Sequence, residues 1–116
     1  MPIINHSRQP VSEQEAYTSV RSLVGREQGA TSLTVREVVI RPGGAGRLHT
    51  HPTDIAIMML EGSIQMIVGD EIRTVRSGYT LLAPPGVPHK LVNNTWVPAR
   101  MLVMYPTVHL ETQYLE

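Results

Sequence analysis

Between Thr31 and Tyr105 no segment sustains the three-to-four-residue apolar repeat of a helix; short β-type runs alternate with breaks rich in glycine and proline. A chain interrupted so often cannot build a helical core, and this one is expected to be all-β. Residues 32–40 are rich in Val, Ile and Thr and stop at Arg41-Pro42-Gly43-Gly44, where proline removes a ladder donor and glycine permits positive φ. Further strands are predicted over residues 47–51, 55–60, 64–68, 71–75, 80–83, 89–93 and 100–105. Gly69-Asp70 is a two-residue hairpin connection, and Pro84-Pro85-Gly86 puts proline and glycine where a type II turn wants them. The continuous apolar run over 55–60 suits a strand buried on both faces. Upstream, Ser12-x-x-Glu15 has the capping-box pattern and marks a short helix over residues 12–20. After Pro106 the chain reads as an extended arm or edge strand.

Many short strands dispose of their exposed edges either in a closed barrel or in a double-sheet jelly roll. At 116 residues the chain is expected to form one domain, with an N-terminal arm over 1–30, a barrel over 31–106 and a tail over 107–116. Ten basic and ten acidic side chains balance, so neither nucleic acid nor an anionic membrane is an expected partner. No apolar run approaches the length of a membrane span and no leader pattern opens the sequence, which gives a cytoplasmic protein as the expectation. Cysteine is absent, so a metal site must use imidazole, carboxylate or water.

Imidazoles are available in a suggestive pattern. His49 and His51 are spaced i,i+2, which puts both on one face of an extended strand, and His89 follows the proline-glycine turn by three residues. Their surroundings read Gly43-x5-His49-x-His51-x3-Ile55-x6-Gly62 and Gly78-x5-Pro84-x-Gly86-x2-His89-x3-Asn93. These two motifs resemble the pair that marks the cupin superfamily, the second complete and the first lacking the usual acidic ligand, which Ile55 replaces.

The resemblance implies a jelly-roll β-barrel of two antiparallel sheets, with a divalent transition metal (Fe, Mn, Ni, Cu or Zn) held by His49, His51 and His89. Three neutral imidazoles suit such an ion and leave positions open for water or substrate. Asp54 is a possible fourth ligand if Pro52 bulges the strand, although strict alternation points it the other way. Without it the site is a three-histidine centre, similar to those of cupin dioxygenases that cleave β-diketones or oxidise thiols.

By the same resemblance Ile55, Ile57 and Met59, which share a strand face, look into the cavity, with Met66 and Leu91 as further lining candidates. The bland alternative for all of them is core packing. Arg47 has the parity of His49 and His51 and could grip a carboxylate at the mouth; Tyr105 and Arg100 are weaker candidates of that kind. Such a pocket would take a small molecule that is largely apolar or that chelates metal with its own oxygens, and would disfavour a heavily hydroxylated sugar. Gly43, Gly62, Gly78, Pro84 and Gly86 read as turn residues, Asn93 as a side chain satisfying backbone groups, and His6 and His109 as solvent-exposed. Three functions remain open: a dioxygenase-type metalloenzyme, a redox-neutral isomerase or lyase, and a non-catalytic ligand-binding or regulatory module. Under each a homodimer is expected, with contacts through the N-terminal segment and residues 100–105.

Overall fold

A computed structural model describes all 116 residues. It contains eleven strands and two single-turn 3-10 segments, with no α-helix. The strands are β1 (Val11–Glu13), β2 (Thr18–Val24), β3 (Thr34–Ile40), β4 (His49–Thr50), β5 (Ile55–Glu61), β6 (Ser63–Val68), β7 (Glu71–Arg76), β8 (Thr80–Ala83), β9 (His89–Val92), β10 (Ala99–Tyr105) and β11 (Gln113–Tyr114). Six form one sheet in the order β1-β2-β3-β10-β5-β8 and five form another in the order β11-β4-β9-β6-β7. Every neighbouring pair is antiparallel. From β3 onward the chain passes repeatedly between the two sheets, which is the jelly-roll arrangement.

The expected turns explain these reversals. Gly69 has φ 56° at the first central position of the β6–β7 hairpin, as a II′ turn requires. The type II turn at Pro84-Pro85-Gly86 is closed by the Val87 amide donating to the Pro84 carbonyl at 3.3 Å, with Gly86 at φ 74°. Gly62 is required twice over, by its φ of 74° and because a Cβ there would stand 2.4 Å from the Pro98 carbonyl oxygen. Asn93 is buried and ties three segments: its amide donates to the Ile40 and Val97 carbonyls, and its oxygen accepts from the Thr95 amide and hydroxyl.

Inward side chains from both sheets meet in one core of Ile40, Ile55, Ile57, Met59, Ile64, Met66, Ala83, Ala99, Met101 and Val103. Burial of such side chains is the main stabilising term, roughly 1.5–3 kcal/mol for each large aliphatic one.

Three expectations need correction. The helix over 12–20 does not form; β1 and β2 make a hairpin there, reversed by Ala16 and Tyr17 at φ 54° and 60°. A cap supplies only about 1 kcal/mol, whereas β2 pairs along most of β3 and buries Leu23. The β5 run is buried on one face only: Ile55, Ile57 and Met59 point inward while Met58 is 39% exposed. The strand expected over 47–51 shrinks to His49–Thr50. β10 lies between β3 and β5, so residues 100–105 present a face and no free edge. The tail does form an edge strand, β11 on β4. No helix is long and apolar enough to cross a membrane.

Candidate metal centre

The three histidines converge because strand register brings them together. His49 on β4 stands directly opposite His89 on β9, and His51 follows two residues on, its carbonyl accepting from the Gly86 amide at 2.8 Å. The turn that leads to His89 therefore also anchors the backbone of His51. Ring centroids are 4.2 Å apart for His49 and His89, 4.8 Å for His49 and His51, and 5.3 Å for His51 and His89.

Each imidazole is held from behind by a backbone carbonyl. His49 Nδ1 donates to Arg47 O at 2.6 Å, His51 Nδ1 to Glu111 O at 2.7 Å and His89 Nδ1 to Val87 O at 3.2 Å. A carbonyl can only accept, so these bonds assign the proton to Nδ1 and leave Nε2 as a lone-pair donor in each neutral ring. His51 and His89 are buried. Burial pushes the His89 pKa down to about 4 against the opposing pull of the Val87 carbonyl. Burial also lowers that of His51, with the Glu111 carbonyl opposing it and the charges of His49 and Arg36 adding to it. Both rings are thus neutral near pH 7, the form a metal needs.

One ligand atom from each of the three lies within 4.8 Å of the others. Imidazole nitrogens sit roughly 2.0–2.1 Å from such an ion, hence at most about 4.2 Å apart on it. At a tetrahedral ion such nitrogens stand about 3.3 Å apart, so closing the group on one ion draws its ligand atoms together by up to about 1.5 Å from the 4.8 Å limit, and the donor set fits a first-row divalent metal.

A cavity of about 140 Å³ opens on the triad, lined also by Thr18, Gly46, Tyr105 and the apolar Val38, Ile40, Ile55, Ile57, Leu91 and Val103. It contains no carboxylate. Ile55, Ile57 and Leu91 are among the lining residues, and Ile55 is 1% exposed. Asp54 precedes β5 and is exposed, and it does not join the histidines. Met59 and Met66 point inward but lie in the packed core; parity fixes the face and not the depth, and two residues of strand carry a side chain about 6–7 Å along.

Arg47 precedes β4, so strand parity does not apply to it. Its guanidinium lies 3.9 Å from the Tyr114 ring centroid and its Nε donates to the Glu116 carbonyl, at the rim and outside the cavity. Arg100 points outward, bonded to Glu37 and Glu61. His6 and His109 are exposed, the latter against Arg26. Two features went unanticipated. Arg36 shares the parity of Val38 and Ile40, a signal readable in the sequence; the Glu111 carbonyl behind His51 is backbone and leaves no side-chain signal.

Residues 36–105, more than half of the chain, match the family described as Cupin domain. An uncharacterized protein of Methanocaldococcus jannaschii is 35% identical over 86 residues, covering 72% of this chain and 69% of that protein. Among solved structures, the polyketide cyclase RemF of Streptomyces resistomycificus superposes with a TM-score of 0.89 at 23% identity, over 100% of this chain and 86% of the cyclase. A cupin-like protein of Thermotoga maritima gives 0.76 at 24% identity, over 84% and 75% of the two chains. Oxalate decarboxylase of Lactobacillus farciminis gives 0.83 at 20% identity, with 94% of this chain matching only 34% of that enzyme. At these identities the structural likeness speaks to the fold alone, and it agrees with the two-sheet jelly roll and the family match: the chain belongs to the cupin family.

Proposed function

We propose that this cupin is a metal-dependent enzyme in which His49, His51 and His89 hold one divalent first-row ion through Nε2, with dioxygenase-type chemistry on a small metabolite. The observation that carries the reading is the set of three Nδ1–carbonyl hydrogen bonds, which fixes all three rings in the ligating tautomer. A bound ion of this kind supplies Lewis acidity and, where redox-active, electrons to dioxygen. The chain's own residues position the substrate: Ile55, Ile57, Leu91 and Val103 exclude water from one side, and Thr18 and Tyr105 offer hydroxyls. A cavity of roughly 150 Å³ accepts a benzene-sized molecule, so the 140 Å³ here favours a compact substrate, largely apolar or chelating through its own oxygens.

A second reading, a non-catalytic ligand-binding module, draws support from the lining itself, which has no carboxylate to serve as acid or base. Protein purified without a histidine tag, stripped with chelator and titrated with Fe, Mn, Ni, Cu and Zn tests the first reading. About one equivalent of metal is expected, with His51→Ala and His89→Ala each weakening binding more than about a hundredfold. Failure of all five ions to bind stoichiometrically would end it. If iron binds but a panel of β-diketones and thiols elicits no oxygen uptake, the binding module or a redox-neutral isomerase or lyase takes its place.

We propose further that two copies pair through the outward face of β10, β5 and β8. That face exposes Met58 and Leu82, beside an ion-pair network joining Arg21, Glu37, Arg100 and Glu61. Since it carries both signs of charge around an apolar patch, the same surface can meet itself across a twofold axis.

A further inference from the structure

Two polar side chains beside the cavity, Tyr105 and Arg36, have each other and no acid as a partner. Tyr105, inward on β10, lines the cavity with its ring edge-on to His51, 5.6 Å between centroids. The polar groups bearing on its hydroxyl are the Arg36 guanidinium and the Tyr114 phenol, and no carboxylate or carbonyl accepts from it. Arg36, inward on β3, places its Cζ 5.7 Å from the Tyr105 ring centroid, and its charge is felt at His51. Arg36 pairs with no carboxylate, as is also true of Arg8, Arg26, Arg47 and Arg76, and it lines the groove next to the cavity, with Arg26 and Glu27.

The charge inventory of this region is one-sided. Three neutral imidazoles would leave an ion's full double charge uncompensated, the lining holds no acid, and Arg36 adds a further unpaired cation. The group missing from the cavity is an anion.

We propose that Tyr105 and Arg36 recognise an anionic oxygen of the ligand, a carboxylate or an enolate. The Tyr105 hydroxyl donates to it inside the cavity, and Arg36 acts as a positioning charge behind the phenol. The ligand class is a compact monoanion with a second oxygen free for the ion and a short apolar remainder against Ile55 and Ile57. This deepens the metal reading, on which only the second oxygen depends.

Pyruvate and butane-2,3-dione provide the test, since both present adjacent oxygens on a skeleton of equal heavy-atom count and differ in charge. Calorimetry is run with each on the zinc-loaded and on the chelator-stripped protein. Wild-type protein is expected to prefer pyruvate. Arg36→Gln should weaken pyruvate about tenfold, equivalent to about 1.4 kcal/mol, and leave the dione within about twofold; Arg36→Lys should recover most of the loss. Tyr105→Phe, which keeps the ring, should weaken pyruvate about fivefold or more. Zinc stoichiometry, measured on every variant, should equal that of wild type. If wild type binds no zinc, the metal reading fails by itself; a pyruvate loss in stripped Arg36→Gln protein still upholds the recognition pair. The pair is overturned if wild type binds no pyruvate in either state, if Arg36→Gln leaves pyruvate affinity unchanged, or if it weakens pyruvate and dione equally, which would mark a structural role.

Discussion

His89 combines the deepest burial of the triad with the largest shift, its pKa pushed down to about 4 by desolvation while it is 3% exposed. In the unfolded chain the same ring titrates near 6.5. Between those values the unfolded state binds the additional proton, so stability rises with pH across that window and is lost as pH falls from about 6.5 toward 4. His51 is shifted in the same direction and adds to the trend. Urea unfolding of metal-free protein near pH 7.5 and about pH 5 should show a loss on the order of 2 kcal/mol on acidification. His89→Gln should show a visibly smaller loss, and equal losses in the two proteins would contradict the assignment. Legibility at this scale followed how directly a residue's position depends on spacing. His49 and His51 are two apart and His89 follows a turn fixed by Pro84-Pro85-Gly86, so the triad could be read from the sequence. The interior cation could not be read in the same way: Arg47 has the right parity, but the chain there is not yet a strand, whereas Arg36 keeps its parity within the unbroken ladder of β3.

At the scale of elements the C-terminal segment matters more to the centre than its exposure suggests. β11 pairs with β4 through Gln113 opposite Thr50 and Tyr114 opposite His49, and the Leu115 amide donates to the Leu48 carbonyl. The Glu116 carboxylate accepts from the Leu48 amide at 3.0 Å and from Lys90 at 2.7 Å. Most directly, Glu111 O is the acceptor that orients His51. Loss of the hydrogen-bond acceptor behind a metal-binding imidazole typically costs about 10–100-fold in metal affinity. Removal of residues 111–116 should therefore weaken metal binding by that range, while circular dichroism retains the β signature. Competition against a chromophoric chelator measures the first quantity, and an unchanged affinity would show that His51 orients itself. The sequence announced an extended tail but not its seat, because pairing with a two-residue strand is decided by the geometry of the opposite sheet edge. The N-terminal hairpin was obscured for a related reason: the Ser12-x-x-Glu15 cap is a local signal, and the long ladder of β2 on β3 outweighs it.

For the molecule as a whole, the jelly roll was legible because glycine and proline recur at each reversal and no helical repeat competes; the order of strands within each sheet was not, since it depends on contacts distant in sequence. The outward surface of the six-stranded sheet is one such product of topology. The apolar run of β5 looked like a strand covered on both sides, yet in this chain its outer face, with Met58 39% and Leu82 58% exposed, has no cover. Charge is arranged around it so that Arg100 reaches both Glu37 and Glu61, at 3.3 Å and 2.8 Å, and exposed pairs of this type contribute only about 0–1 kcal/mol within one chain. Covered by a second copy they would attract more strongly but at a desolvation cost, so their part is to fix the register of the two sheets, while the methionine and leucine supply the apolar area. Light scattering at micromolar concentration should accordingly give twice the chain mass. The double substitution Met58→Lys and Leu82→Lys should give the monomer mass without loss of metal binding, because neither side chain reaches the cavity. Arg100→Ala should weaken the dimer more steeply at low salt than at high salt, as screening already diminishes the contribution of the charges there. A wild-type monomer, or a dimer indifferent to the double substitution, would move the contact to the free edge at β1, where Val11 is half exposed.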